Sequence, residues 1–257
     1  MYKTKTVITV AALLAANVFL NQECQSQPAP AKPAPTATAA ATPAPAAPAA
    51  QAGAASGVKI TVKFTGTAPV MSKLKREADP FCGKTPMNDQ EVVVNPNGTL
   101  KNVVVRVSQG ASAAATPPAN TLEIDQSNCM YAPRVVAGVT GQKLLIKNGD
   151  PIMHNVHTYQ GTTTGFNQAQ MKGAKDIEKT IAAGITKFKC DVHPWMTGYV
   201  IGNDNPYVCV TDDQGECTLA NLPSGSYTLE TWHEKYGTKT IAIAPGATTA
   251  ETSYAAQ

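Results

Sequence analysis

The chain has 257 residues, 43% of them hydrophobic, 15% charged and 6% aromatic, with a formal net charge of +3. So small a charge, with no basic run on any expected strand face, excludes a nucleic-acid surface. The length suits one large or, preferably, two small β-rich domains, and plentiful Thr, Val, Ile, Gly and Pro point to an all-β fold of short strands and turns.

Lys3 and Lys5 precede an apolar run from Val7 to Leu20, with no acid before Glu23. That pattern is expected of an export signal over residues 1–26, and the run is shorter than the ~20 apolar residues of a membrane span. Asn21, Gln22 and Glu23 precede Cys24, where a lipidated cysteine usually follows small residues. Cleavage after Ser26 is an equal reading, so membrane attachment is expected only through an uncleaved signal or a lipid on Cys24. Residues 27–56 are mostly Ala, Pro and Thr with almost nothing to bury, and read as a disordered, partly polyproline tether. At ~3.1 Å per residue, about 28 extended residues reach roughly 90 Å.

Strand signals begin with VKITVKF at 58–64, EVVV at 91–94 and KNVVVRV at 101–107, and the NPNG turn predicts that the last two form a hairpin. ASAAATPPAN at 111–120 reads as a linker, after which TLEI, RVVAGV and KLLIKN resume the strands. KDIEKTIAA lacks strong helix caps and runs directly into GITKFKC, so a strand is expected there. Past FKCDVHPWMTGYV come PYVCV, a DDQG turn, ECTL, the loop NLPSG, SYTLETW and TKTIAIA, all β in character. Helix content should be very low.

The segment FKCDVHPWMTGYV places Cys190, His193 and Met196 within seven positions. Alone, C-x-x-H-x-x-M is a weak signal, shared with zinc sites and redox motifs. KNGDPIMHNVHTY strengthens it by delivering His154 at the end of a clear strand, 36 positions before Cys190. One thiolate, two imidazoles and a thioether form the set expected of a blue-copper electron-transfer site. Soft sulfur suits Cu(I) and imidazole suits both oxidation states, whereas zinc would more often be closed by another Cys, His, Asp or Glu than by Met196.

These two motifs resemble the cupredoxins, with the amicyanin and plastocyanin types nearest: a short C-x-x-H-x-x-M loop and an upstream Pro-His-Asn-Val-His, read here as His154, Asn155, Val156 and His157. The resemblance implies copper ligation by His154, Cys190, His193 and Met196, and matches Gly184 and Phe188 to the strand leading into the cysteine. His157 is not a ligand in that pattern and, by strand alternation, should face away. Met153 stands where proline is usual, and Asp191 where Thr or Ser commonly bonds the asparagine. The flanks, VKITVKFTGTAP and PYVCVTDDQGECTLANLPSGSYTLETWHEKYG, resemble the opening strand and closing half of carboxypeptidase regulatory-like β-sandwiches. The expected architecture is therefore all-β: a cupredoxin Greek-key β-sandwich at 119–206, inserted in or fused with a regulatory-like β-sandwich formed by 57–118 and 207–251. A single enlarged cupredoxin sandwich is the alternative.

Six cysteines in an exported chain suggest disulfides. With Cys190 wanted by copper and Cys24 in the signal region, four remain and allow three pairings. Cys209 and Cys217 flank the DDQG turn and should fall opposite one another on two hairpin strands, leaving Cys82 for Cys129; a disulfide to Cys190 is the competing reading. His233 is expected as a surface or edge histidine. The function expected is a periplasmic or cell-surface type 1 copper protein that carries single electrons and is not an enzyme. Its partners would be redox proteins such as a c-type cytochrome or a dehydrogenase, docking near an exposed edge of His193 with Pro194 and Trp195. Two other readings compete: copper handling by a chaperone or scavenger without redox cycling, and a cell-surface binding module.

Overall fold

The computed structural model describes residues 57–113 and 116–257. The expected export signal, the tether and Cys24 lie outside them. In chain order the strands are β1 (Val58–Thr65), β2 (Val104–Gln109), β3 (Leu122–Ser127), β4 (Met130–Ala132), β5 (Val135–Val139), β6 (Lys143–Asn148), β7 (His154–Gln160) and β8 (Thr163–Gln170). There follow β9 (Ile177–Thr180), β10 (Gly184–Lys189), β11 (Thr197–Asn203), β12 (Val208–Val210), β13 (Glu216–Leu219), β14 (Tyr227–His233), β15 (Gly237–Ile243) and β16 (Thr249–Ala255). Among the described residues the helical content is one short turn, Cys82–Lys84, and no helix is long and apolar enough to cross a membrane. The protein is all-β.

Alternation explains the first pair of sheets. In β1, Val58, Ile60, Val62 and Phe64 point inward while Lys59 and Lys63 point to solvent. This strand lies between β13, antiparallel, and β16, parallel. The other sheet runs β12-β2-β14-β15. Between them sit Ile60, Val62, Leu100, Val105, Val107, Leu229 and Tyr254, and burying each such large apolar side chain stabilises by about 1.5–3 kcal/mol.

Two expectations about pairing are corrected here. EVVV and KNVVVRV pair only beside the turn, where Val94 bridges Leu100 and Lys101 N–H donates to Val93 O, while β2 itself pairs with β12 and β14. The NPNG turn closes through Gly98 N–H to Asn95 O, but Asn102 adopts a left-handed φ of 62° and redirects the chain before β2 begins. Cys209 and Cys217 are bonded, yet not across a hairpin, because β12 belongs to the β2 sheet and β13 to the β1 sheet. Their disulfide ties the two sheets together. Cys82 is bonded to Cys129.

A second pair of sheets, β5-β11-β10-β7-β8 and β4-β3-β6-β9, encloses Ile124, Val136, Leu144, Ile146, Val156, Phe188 and Val200. KDIEKTIAA supplies β9, a strand as expected. Gly202 in β11 must be glycine, since a Cβ there would stand 2.0 Å from the Ala182 carbonyl oxygen. A third, smaller cluster of Val104, Val135, Tyr199 and Ile201 joins the two bodies, with Tyr199 edge-on to Trp232 at 5.1 Å between ring centres. Beside it the buried Arg134 guanidinium pairs twice with Glu234, the second contact at 2.8 Å.

His233 is not at the surface but is 1% exposed, because β14 turns Leu229, Thr231 and His233 inward in strict alternation. Its ring stacks on Tyr236 at 5.0 Å, its Nδ1 accepts the Lys235 N–H, and its Nε2 has no partner. Burial first, and Arg134 second, push its pKa down to about 4. The folded protein thus holds His233 neutral, and the unfolded chain binds the proton more tightly. Stability is complete above the unfolded value near 6.5 and is lost as the pH falls toward 4. Denaturant titrations at pH 7 and pH 4 should show the native chain losing about 3 kcal/mol more than a His233→Gln variant.

Candidate metal centre

The site grows from the ends of three strands. β6 ends at Asn148, whose side-chain amide donates to the carbonyls of Ile152 and Gln170, both at 2.9 Å, and so closes the turn that starts β7 at His154. β10 pairs Lys189 with His157 of β7 and with Thr197 of β11. Cys190, one residue further, arrives beside Asn155, whose N–H reaches its sulfur at 3.5 Å. Lys189 Nζ donates to Pro194 O (2.6 Å) and Thr197 Oγ1 (2.8 Å), and Met196 N–H donates to His193 O (2.9 Å). These bonds close residues 190–196 into a tight loop between β10 and β11.

His154, Cys190 and His193 each present one ligand atom within 4.8 Å of the other two. Cys190 Sγ lies 4.0 Å from His154 Nδ1 and 3.7 Å from His193 Nδ1, and the two Nδ1 atoms are 2.9 Å apart. Met196 is fully buried in the same core cluster as Cys190. All four expected ligands are thus buried, three of them converging and the fourth sharing the core cluster of Cys190.

Their protonation follows from their neighbours. Burial opposes a charge on His154, but Asp150 and Cys190 outweigh it and raise its pKa to about 9. Burial likewise pushes the Cys190 thiol up, and the bond from His154 with the N–H groups of Asn155, His193 and Val192 brings it below its ordinary value. His193 is lowered by burial and by the charge of His154.

Asp150 Oδ2 accepts from His154 Nε2 at 2.9 Å, and Asp79 Oδ2 stands 3.5 Å from His193 Nε2. Both carboxylates therefore sit on the far nitrogens and leave Nδ1 to face the sulfur. One thiol and two Nδ1 atoms, with a buried thioether in the same core as the thiol, fit copper better than zinc. Far-nitrogen carboxylates are the usual means of fixing an imidazole's tautomer and orientation.

Several expectations change. His193 is not an exposed edge: it is 2% exposed, with Asp79 on its far nitrogen and the Trp195 ring 5.2 Å away. Trp195 is half-buried and donates Nε1–H to Cys129 O at 3.0 Å, while Pro194, Val192 and Met153 are exposed. Asp191 performs the bonding expected of Thr or Ser. Its N–H donates to Asn155 Oδ1 (2.7 Å), and its carboxylate accepts from Asn155 Nδ2 (2.9 Å), Asn167 Nδ2 (2.8 Å) and His157 Nδ1 (3.0 Å). His157 faces away from the three facing ligand atoms, as strand alternation requires. Phe188 is buried edge-on to Tyr131, whose hydroxyl donates to Asn155 O and Lys189 O and so bridges the two ligand-bearing strands.

Asp79 and Asp150 were not singled out by the sequence. Asp150, four residues before His154 in the same turn, carried a readable signal; Asp79, in a segment without strand pattern and 114 positions from His193, carried none.

No protein-family model and no curated protein matches the chain. Among solved structures it is similar to a purple cupredoxin from Nitrosopumilus maritimus, at 20% identity and TM-score 0.29 over 32% of this chain and 99% of that one. It is similar also to an amicyanin from Paracoccus versutus, at 24% identity and TM-score 0.30 over 38% of this chain and 97% of that one. A copper-containing nitrite reductase from Thermus scotoductus overlaps 38% of this chain and 25% of its own, at 19% identity and TM-score 0.29. More than half of this chain lies outside each overlap.

Proposed function

We propose that this chain is an exported type 1 copper protein that carries single electrons between partner proteins and is not an enzyme. The observation that carries the reading is the convergence of Cys190 Sγ with the Nδ1 atoms of His154 and His193, all buried and facing one another. Met196 would be the fourth, weaker ligand. Copper held there would supply a one-electron couple stable in both states. The chain's part is to fix its donors: Asp150 and Asp79 orient the imidazoles, the amides around Cys190 favour the thiolate, and burial excludes water. Two buried cores support reading 119–206 as the copper-bearing sandwich and 57–118 with 207–251 as the other, although Phe81 and Cys82 from the 57–118 stretch pack into the core of the first. Export rests on the sequence of residues 1–26. A redox partner, such as a c-type cytochrome or a dehydrogenase, would dock on Pro194 and Trp195 with His193 just beneath.

The test is one titration. Protein given Cu(II) should develop an intense thiolate-to-copper absorption that fades on reduction and returns on oxidation. Absence of that band overturns the copper reading. The closure of His193 beneath Asp79 favours a second reading, copper handling without redox cycling; a band that bleaches but does not return would select it.

A further inference from the structure

Both histidines of the centre are held on their far nitrogens by a carboxylate, and each carboxylate is held by the backbone of one half of a single disulfide. Asp79 Oδ1 accepts from the N–H groups of Phe81 (2.8 Å) and Cys82 (2.9 Å), while its Oδ2 faces His193 Nε2. Asp150 Oδ2 accepts from Cys129 N–H (2.7 Å) as well as from His154 Nε2 (2.9 Å). Cys82 and Cys129 are bonded to each other and fully buried. The Cys82 sulfur lies within 4.8 Å of Asp79 and His193 ligand atoms, and the Cys129 sulfur within 4.8 Å of those of Asp150 and His154. Trp195 adds a further tie from the ligand loop to the Cys129 carbonyl.

The stretch that brings in Asp79 and Cys82 has little structure of its own. Between β1 and residue 90 its described backbone bonds are few, among them Leu74 N–H to Met87 O (2.8 Å) and Asp89 N–H to Ser72 O (2.9 Å). What fixes it on the centre is the disulfide, the buried Arg76 guanidinium on Asn128 O (2.5 Å), and Asp79 on His193. Asn128 is the neighbour of Cys129, and its N–H also goes to Asp150. The anchors therefore converge on one point.

We propose that the Cys82–Cys129 disulfide is the clamp of the metal centre: through Asp79 and Asp150 it positions His193 and His154, and it keeps residues 76–84 closed over the ligands. Asp79 and Asp150 are then positioning residues. The clamp rests on the copper reading for its purpose, but it has a consequence in the metal-free protein as well, where it shields the Cys190 thiol.

The test uses the full chain, a Cys82→Ser/Cys129→Ser double variant, and Asp79→Ala, which keeps the disulfide. Two rates are measured well below the melting temperature: release of copper to an excess of a small chelator, and alkylation of Cys190 in metal-free protein, resolved by peptide mass. The double variant should be at least about tenfold faster in both, the scale on which outer partners of metal ligands act. Asp79→Ala should be faster by less, and adding it to the double variant should change little, because the two changes cut one chain of contacts. Rates within about twofold of the parent, with only the melting temperature lowered, would reduce the disulfide to an ordinary staple and overturn the clamp. If the double variant does not fold, Asp79→Ala alone decides, and unchanged rates overturn the clamp. Should the parent show no thiolate-to-copper band, the copper reading falls while the alkylation rates still judge the clamp.

Discussion

Cys190→Ala should abolish the thiolate-to-copper absorption completely and weaken copper retention by at least about 100-fold, since it removes a ligand rather than a ligand's support. The thiolate is the one donor that is both soft and able to give the intense colour, and it is the donor most elaborately prepared. Asn155 N–H reaches its sulfur at 3.5 Å, and Asp191 N–H holds the Asn155 side chain beside it by donating to Oδ1 at 2.7 Å. The metal-free variant should keep its strand content and cooperative melting, because the sulfur ends a core whose bulk is Ile124, Leu144, Ile146, Phe188 and Val200. Absorption and competitive chelation measure the effect. Retained colour would place the thiolate elsewhere in the chain. Met196→Leu is the contrasting variant: it should keep the band and move the reduction potential, as a weak fourth ligand requires.

Replacing Glu234 by Gln should destabilise the fold by about 3–5 kcal/mol, the range for breaking a buried ion pair by removing one partner. Arg134 and Glu234 side chains are 6% and 5% exposed, so the buried guanidinium would be left with only the distant, half-exposed Asp89 carboxylate at 3.9 Å as counter-charge. Burial raises the Glu234 carboxyl and Arg134 pulls it back, which marks each group as dependent on the other. The pair also joins the loop before β5 to the end of β14, and so links the two pairs of sheets. An Arg134→Met/Glu234→Leu double variant should cost less than the single one, since no charge remains to be solvated. Denaturant unfolding separates these outcomes, and a loss below about 1 kcal/mol for Glu234→Gln would show that the pair is solvated.

Much of the fold was legible because alternation and turn chemistry are local. VKITVKF reads as a strand with Ile60 and Val62 inward, and it is one. SYTLETWH carries the same alternation through to His233, although a lone histidine does not announce its own burial. What strand signals cannot carry is the partner. EVVV and KNVVVRV flank a proper turn, yet beyond the Val94–Leu100 bridge β2 pairs with β12 and β14 instead. Cys209 and Cys217 flank another, yet their strands enter different sheets.

By itself, the sequence determined an all-β chain and the spacing that unites Cys190, His193 and Met196 on one loop, because strand alternation and loop length are written into neighbouring residues. The union of His154 with Cys190 was expected only through a motif resemblance and is made by the pairing of β7 with β10, whereas the arrival of Asp79 over His193 was decided by tertiary structure alone. Asp79 sits in a stretch with no periodicity, and what fixes it is a disulfide and a hydrogen bond to residues far along the chain. Contacts made across such distances depend on how the sheets stack, which no local pattern of residues encodes.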